Sequence, residues 1–395
     1  MAMQTFAGDP GAFARFDLGR VPSPCFVVDE ARLEANLRVL ADIQTRSGAT
    51  VLCALKAFSM WELAPLVSRY LSGVCASGLW EARLGREHYG GIVETYSAGY
   101  KADEMGDIIR LSDHIVFNTP AAKDRFAAMI RENGKDVHVG LRFNPGLPMG
   151  EDAKYDPAAP GSRLGTPLDQ IAEGDLQGVD GLHMHTLCEQ DLGPLLAIWE
   201  HIAPQIRARA PRLKWINFGG GHHITRADYD REGLIAFLQR VKAETGLHCY
   251  LEPGEAVALD AGILVGEVLD VVENDGPNAI LDISATCHMP DVIEAPYRPA
   301  LLGEGGETLV RLGGPSCLAG DVIGRYAFNT VPEIGQRIAF LDQAHYSMVK
   351  TTTFNGVRLP ALAVWNSETD ALRVIRQFDY QDFKGRLSWI SSTLN

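Results

Sequence analysis

Short runs of apolar and β-branched residues, each closing on a polar or glycine-rich corner, recur at residues 51–55, 73–76, 95–98, 114–117, 137–143, 179–186, 213–218 and 249–252. Runs this short are the pattern of strands buried on both faces. Between them, segments 61–70, 81–87, 102–110, 121–131, 168–172, 192–206 and 229–245 carry apolar residues at helical spacing. Strand and helix therefore alternate strictly. That pattern predicts an α/β protein with a parallel sheet, and eight such units predict a closed (β/α)8 TIM barrel, with a doubly wound sheet as the competing arrangement.

After residue 258 the texture changes to strand-like segments punctuated by turns, at 262–272, 279–283, 308–312, 337–340, 361–365 and 372–377. A second, mostly β domain is expected there. It is completed by the apolar run 25–28, which precedes a helix at 29–43. The expected division is a barrel at 30–262 and a β domain of 1–29 with 263–395. The stretch 146–167, rich in Pro, Gly and Asp, is too long for a simple connection and reads as a lid over a site, with an idle surface loop as the competing reading.

The chain has 395 residues, 46% of them hydrophobic, which is enough to bury a sizeable core. Its net charge of −14 argues against nucleic acid or an anionic membrane as a partner and favours cationic ligands. Seven scattered cysteines form no C-x-x-C pair and no even framework, as expected for a reducing cytoplasm. The opening residues lack the basic-then-apolar order of a secretion signal, and no apolar run is long enough to span a membrane.

In a barrel the ends of the strands carry the chemistry. At these ends stand Lys56, Ser77, Asn118, Arg142, Asn144, His183, His185, Gly219, Gly220, Gly221 and Glu252. A lysine here offers an amine to a carbonyl cofactor, although a single strand-end lysine is more often an ion-paired surface residue. Three glycines after the seventh strand let backbone N–H groups approach a phosphate without Cβ obstruction, although a tight turn needs glycines too. Glu252, in Glu-Pro-Gly, can hold a pyridine nitrogen protonated, which makes such a ring an electron sink. His183 and His185 share one face of their strand, but with Cys188 and Glu189 they match no strong metal spacing, and no metal is expected.

Taken together, Ala54-Leu-Lys56, His185, Gly219 to Gly221, Glu252-Pro-Gly, Gly314-Pro-Ser-Cys317 and Tyr346 resemble the fold-type III decarboxylases that use pyridoxal 5'-phosphate, the ornithine, arginine and diaminopimelate group. The resemblance runs from about Pro24 to Asp379. Within that group, His288-Met-Pro-Asp-Val292, Pro296-Tyr-Arg-Pro299, Ser316 to Asp321, Met348-Val-Lys and Phe354-Asn-Gly356 are most like the branch acting on carboxylated triamines. The resemblance implies that Lys56 carries the cofactor, His185 stacks on its ring, the three glycines and Tyr346 hold its phosphate, and Glu252 pairs with its ring nitrogen. It also implies that Cys317 reprotonates product in the site of a neighbouring subunit, which requires a homodimer.

Three departures from the wider group bear on substrate. Glu255 stands where an arginine is usual, Leu318 where an acidic residue follows the cysteine, and Cys188 where a serine is usual. The branch resemblance assigns Glu255, Asp291 and Asp321 to the substrate, and carboxylates are the right sign for a polyamine carboxylate with several ammonium groups. Racemases of the same fold place an arginine near the ring nitrogen, whereas this chain has Glu252. Non-catalytic homologues are disfavoured because Lys56 and Cys317 are both present.

Overall fold

The computed structural model describes residues 8–150 and 153–388. Residues 1–7 and 389–395, at the ends of the expected β domain, and 151–152, inside the expected lid, lie outside the described residues. The chain divides into two compact units, one made of Glu34–Val257 and the other of Met1–Leu33 with Ala258–Asn395.

Strand β1, Cys25–Asp29, belongs to the second unit. The first unit contains β2 Thr50–Ala54, β3 Gly73–Ala76, β4 Ile92–Ser97, β5 His114–Phe117, β6 His138–Asn144, β7 Thr166–Pro167, β8 Gly181–His183, β9 Trp215–Asn217 and β10 His248–Leu251. Apart from the two-residue β7, which pairs in parallel beside the end of β6, these strands form a closed parallel ring. Pairing of β5 with β6, and of β10 with both β9 and β2, rules out the doubly wound sheet. The eight-stranded barrel is thus the architecture.

The barrel centre is filled by one large ring. Trp215 is buried inside with Leu52, Val116 and Tyr250 around it. A Cβ on Gly140 or Gly181 would fall 2.6 or 2.0 Å from the Trp215 ring, so the neighbouring strands give up side chains to admit the indole. His114 stacks on its other side at 5.3 Å and 7°.

Several elements differ from the sequence expectation. The helix expected at 168–172 is only a 3-10 turn, Leu168–Gln170, followed by a second at Glu173–Leu176. Pro167 precedes it, and of residues 168–176 only Leu168, Ile171 and Leu176 are buried, too sparse a stripe for a packed helix. Strands β8 and β9 are also shorter than their apolar runs, because the chain bends out of the ladder once it reaches the polar residues at their ends.

The second unit is a mostly antiparallel sheet. Its strands are β11 Gly262–Glu273, β12 Pro277–Leu281, β13 Thr308–Gly313, β14 Val322–Phe328, β15 Arg337–Leu341, β16 Ala361–Trp365 and β17 Leu372–Arg376. The order is β14-β13-β12-β11-β1-β16-β17, with β15 also on β11. Strand β1 lies between β11 and β16, antiparallel to the first and parallel to the second, so the N-terminal segment completes the sheet. Cys25, Val27, Val265, Leu341, Ala363 and Trp365 form its core with Phe13 and Phe16. Strand β14 is not apparent from the sequence, because Gly324 and Arg325 break its apolar alternation.

Candidate active site

Strand β2 ends in a tight turn in which the N–H groups of Ala57 and Phe58 both donate to the Ala54 carbonyl. The turn presents Lys56 as an exposed residue at the mouth of the barrel, with Nζ 3.4 Å from His185 Nε2. Nδ1 of His185 accepts the Gly220 N–H at 2.9 Å, which fixes the neutral ring with its proton on Nε2. Desolvation, then the charges of Lys56 and Arg142, hold its pKa well below the usual histidine value.

Arg142 donates to the His185 carbonyl at 2.7 Å, and its guanidinium lies 4.6 Å from the centre of the Tyr96 ring. Tyr96 stacks on His183 at 5.5 Å and donates its hydroxyl to Asn118 Oδ1 at 2.8 Å. Asn118 also accepts from Gly165 N–H and donates to the Arg163 carbonyl. The far end of the expected lid is thereby pinned to the rim at the end of β5.

The three glycines after β9 have a packing reason as well as a chemical one. Gly219 and Gly221 sit at φ +68° and +86°, and a Cβ there would meet the Met184 carbonyl at 2.6 Å and the Leu187 carbonyl at 2.0 Å. A Cβ on Gly220 would lie 2.1 Å from the Glu252 carbonyl. Two of the three N–H groups are engaged by the protein, Gly219 with Asn217 Oδ1 and Gly220 with His185 Nδ1.

Glu252 is buried just past β10, with Oε2 3.3 Å from His183 Nε2 and Oε1 accepting from Asn217 Nδ2 at 2.8 Å. Burial opposes its charge, but His183 outweighs it, and the carboxyl is held well below the usual range. The same Asn217 nitrogen donates at 2.6 Å to Glu94 Oε1, on β4. Glu94 Oε2 in turn lies 3.0 Å from His114 Nδ1. Ligand-type atoms of Glu94, His183 and Glu252 fall within 4.8 Å of one another, but the Asn217 amide donates into that group, and a donor repels a cation. Neither Glu94 nor Asn217 is singled out by the sequence reading. The signal is a polar residue at an inward position of an otherwise apolar strand.

Glu255 opens a one-turn helix, Glu255–Ala258, with Oε1 3.4 Å from His223 Nδ1. That separation is an ion-pair distance with poor hydrogen-bond geometry. Burial works against charge on His223, but Glu255 prevails and raises the imidazole above its usual value.

The remaining candidates lie in the other unit. Cys317 is exposed, and its N–H donates to Asn355 Oδ1 at 2.9 Å. Asp321 is buried, and its carboxylate accepts from Ser284 Oγ, Ser316 Oγ, Thr286 N–H and Ser316 N–H. With both oxygens so engaged, Asp321 pins the Cys317 loop. Asp291 pairs with Lys350 at 2.5 Å, and Lys350 also reaches Glu294 at 3.0 Å. Tyr346 is half-buried at φ +47°, a conformation costly for a residue with a Cβ and concentrated at functional sites.

Residues 25–344 match the family model described as pyridoxal-dependent decarboxylase, C-terminal sheet domain. The chain is 40% identical over 382 residues to the carboxynorspermidine/carboxyspermidine decarboxylase of Campylobacter jejuni, covering 93% of this chain and 99% of that one. It is 38% identical over 376 residues to the carboxyaminopropylagmatine decarboxylase of a Synechocystis species, covering 94% and 96%. Among solved structures, Campylobacter jejuni carboxynorspermidine decarboxylase complexed with norspermidine matches with a TM-score of 0.86 at 39% identity, over 93% of this chain and 100% of that one. Diaminopimelate decarboxylase from Helicobacter pylori shares the fold, with a TM-score of 0.80 at 16% identity, over 93% and 97%.

Proposed function

The chain belongs to the pyridoxal-dependent decarboxylase family, and on that premise we propose that it removes CO2 from carboxynorspermidine and carboxyspermidine, releasing norspermidine and spermidine in polyamine biosynthesis. The observation that carries this is the 40% identity extending over 93% of this chain and 99% of the Campylobacter enzyme, which leaves no domain of that relative without a counterpart.

The side chains at the barrel mouth fit pyridoxal phosphate. An exposed amine, Lys56, stands beside an imidazole of fixed tautomer, above a buried anion, next to a loop in which Cβ atoms have no room. We assign Lys56 to hold the cofactor, His185 to lie against its ring, Glu252 to face its ring nitrogen, and Gly221 with Tyr346 to receive its phosphate. When bound, the cofactor supplies an electron sink for the pair left on the substrate α-carbon as CO2 departs. The chain's own contributions are the following. His183 and Asn217 fix the Glu252 carboxylate in place and keep it ionised. Glu255 and Asp291 attract the ammonium groups of the substrate tail, each already beside one protein cation. Cys317 Sγ returns a proton to the carbon that lost CO2, in the site of a second copy of the chain, so the working form is a homodimer. Asp321 holds the loop that carries this thiol.

We place the enzyme in the cytoplasm, since all seven cysteines are free thiols. No helix among the described residues is long and apolar enough to cross a membrane.

A second substrate is favoured by the 38% identity to carboxyaminopropylagmatine decarboxylase, whose substrate name denotes a guanidine-ended analogue. Purified protein reconstituted with pyridoxal phosphate and offered carboxynorspermidine, carboxyspermidine, carboxyaminopropylagmatine, diaminopimelate and ornithine separates these readings. Norspermidine and spermidine as the dominant products are expected. Turnover confined to the guanidino compound rejects the first substrate assignment, and a protein that takes up no cofactor rejects the enzyme.

A further inference from the structure

The interior of the barrel holds two carboxyl groups on one amide nitrogen. Asn217 Nδ2 donates to Glu94 Oε1 at 2.6 Å and to Glu252 Oε1 at 2.8 Å. The amide cannot be turned around, because its Oδ1 accepts the Gly219 N–H at 2.8 Å. Glu94 is fully buried on β4, Asn217 fully buried on β9, and Glu252 nearly so. Two like charges that close, in a site with little water, cannot both persist without cations on each. The imidazoles that can donate to these carboxyls are unevenly distributed. Glu252 has His183 at 3.3 Å and feels His185 beyond it. Among the described residues Glu94 meets one imidazole, His114, whose ring is sandwiched between His138 at 5.0 Å and Trp215 at 5.3 Å. Cys75, Tyr100 and Tyr250 also lie within its field, and none of these is a cation.

We propose that this pair holds one proton, kept on Glu94, so that a single negative charge rests on Glu252 against His183. Each of the four carboxyl oxygens then has a partner. Glu94 Oε1 accepts from Asn217, and Oε2–H donates to His114 Nδ1, 3.0 Å away. Burial, then the neighbouring charge of Glu252, raise the Glu94 pKa well above the carboxylate range, and burial takes His114 down to about 4, in agreement with a neutral acid meeting a neutral imidazole. Resting on the functional reading above, this makes Glu94 a positioning residue. Through Asn217 it fixes the anion that faces the cofactor ring without adding a second charge beneath it.

The test is infrared difference spectroscopy of the wild type against Glu94→Gln at neutral pH, on apo and cofactor-loaded protein. A difference is required because other buried acids, such as Asp260 with its pKa raised to about 7, also absorb as protonated carboxyls. The wild type should show a carboxylic-acid carbonyl band that is absent from the variant and persists in the apo protein. Glu94→Gln, neutral and of the same shape, should keep cofactor affinity within about threefold, whereas Glu94→Leu, which strands Asn217 and His114, should weaken it on the order of tenfold or more. Absence of the band, or a Glu94→Gln variant as impaired as Glu94→Leu, overturns the proposal. Failure of the decarboxylase reading would show differently, as wild-type protein that takes up no cofactor while the band is unaffected.

Discussion

The backbone N–H of Gly220 donates to Nδ1 of His185 at 2.9 Å, so a glycine loop on one strand sets the protonated nitrogen of a ring on its neighbour. The contact exists because residue 220 has no Cβ, which would otherwise lie 2.1 Å from the Glu252 carbonyl. Gly220→Ala should push the two loops apart, lower stability by about 2 kcal/mol or more, and weaken cofactor binding as His185 loses its anchor. Thermal unfolding and cofactor titration check both effects. An alanine variant matching the wild type in both would show that the loops are not tightly seated.

Lys56→Ala should abolish the visible absorbance of the bound cofactor and all measurable turnover. Because Lys56 is exposed and its loss opens no cavity, the melting temperature of the apo protein should stay within about 2 °C. Absorbance and calorimetry of apo and reconstituted protein separate the two. Retained absorbance in the variant would assign the cofactor to another amine.

How far the site is legible in the sequence depends on what each residue announces. The barrel is readable because its strands are short apolar runs at regular intervals, and Lys56 and Glu252 are conspicuous as polar residues at the ends of such runs. Glu94 and Asn217 are not, because Asn217 lies inside a run that reads as strand regardless and Glu94 falls just before the run expected at 95–98. Their importance appears only when closure of the ring brings β4 and β9 to opposite sides of one interior. Strand β14 escapes for a related reason: Gly324 and Arg325 interrupt its alternation, and pairing with β13 supplies what its side chains do not signal. Asp321 looks like a ligand beside a thiol, and only the positions of Ser284 and Thr286 reveal that its oxygens are occupied.

Acid should destabilise the protein through histidines locked in the neutral form. His288 accepts the Ser284 N–H at Nδ1 and bonds the Arg358 carbonyl through Nε2, and burial lowers its pKa from 6.5 to about 4. Its folded pKa is depressed, so the unfolded chain takes up the proton first, and the associated stability is lost as pH falls from 6.5 to about 4. His114 and His222, both near 4, add in the same direction, whereas Asp260, raised to about 7, opposes them. Urea unfolding across that window should show His288→Gln less stable at neutral pH but with a shallower slope, by up to about 1.4 kcal/mol per pH unit. An unchanged slope would mean that His288 titrates normally.

Asp321→Ala should act through its loop and not through substrate affinity. Removing the carboxylate leaves the Ser284 and Ser316 hydroxyls and two backbone N–H groups without their acceptor, which should cost about 2–4 kcal/mol. The Cys317 thiol should then react faster with a maleimide, and kcat should fall more than KM rises. A variant of normal stability and thiol reactivity but with a raised KM would restore Asp321 as a direct substrate contact.

Glu255 offers the sharpest test of substrate class, since it stands beside His223 and its charge is what raises that imidazole. If the carboxylate receives an ammonium group of a long polyamine, the amine has to be drawn in against the charge of His223, and the pair gives two opposing dependences. Glu255→Gln removes the attraction and lets His223 fall back to neutrality, so KM for carboxynorspermidine should rise on the order of tenfold while the cofactor absorbance is unchanged. For the wild type, KM should also improve as pH rises through the raised His223 pKa, because the competing cation is lost. Steady-state kinetics from pH 6 to about 9, with the variant alongside, check both. In the variant the improvement should disappear together with the affinity. A variant that loses cofactor instead would place Glu255 in the phosphate site, and equal KM in both proteins would leave recognition of the tail to Asp291 and the rest of the other unit.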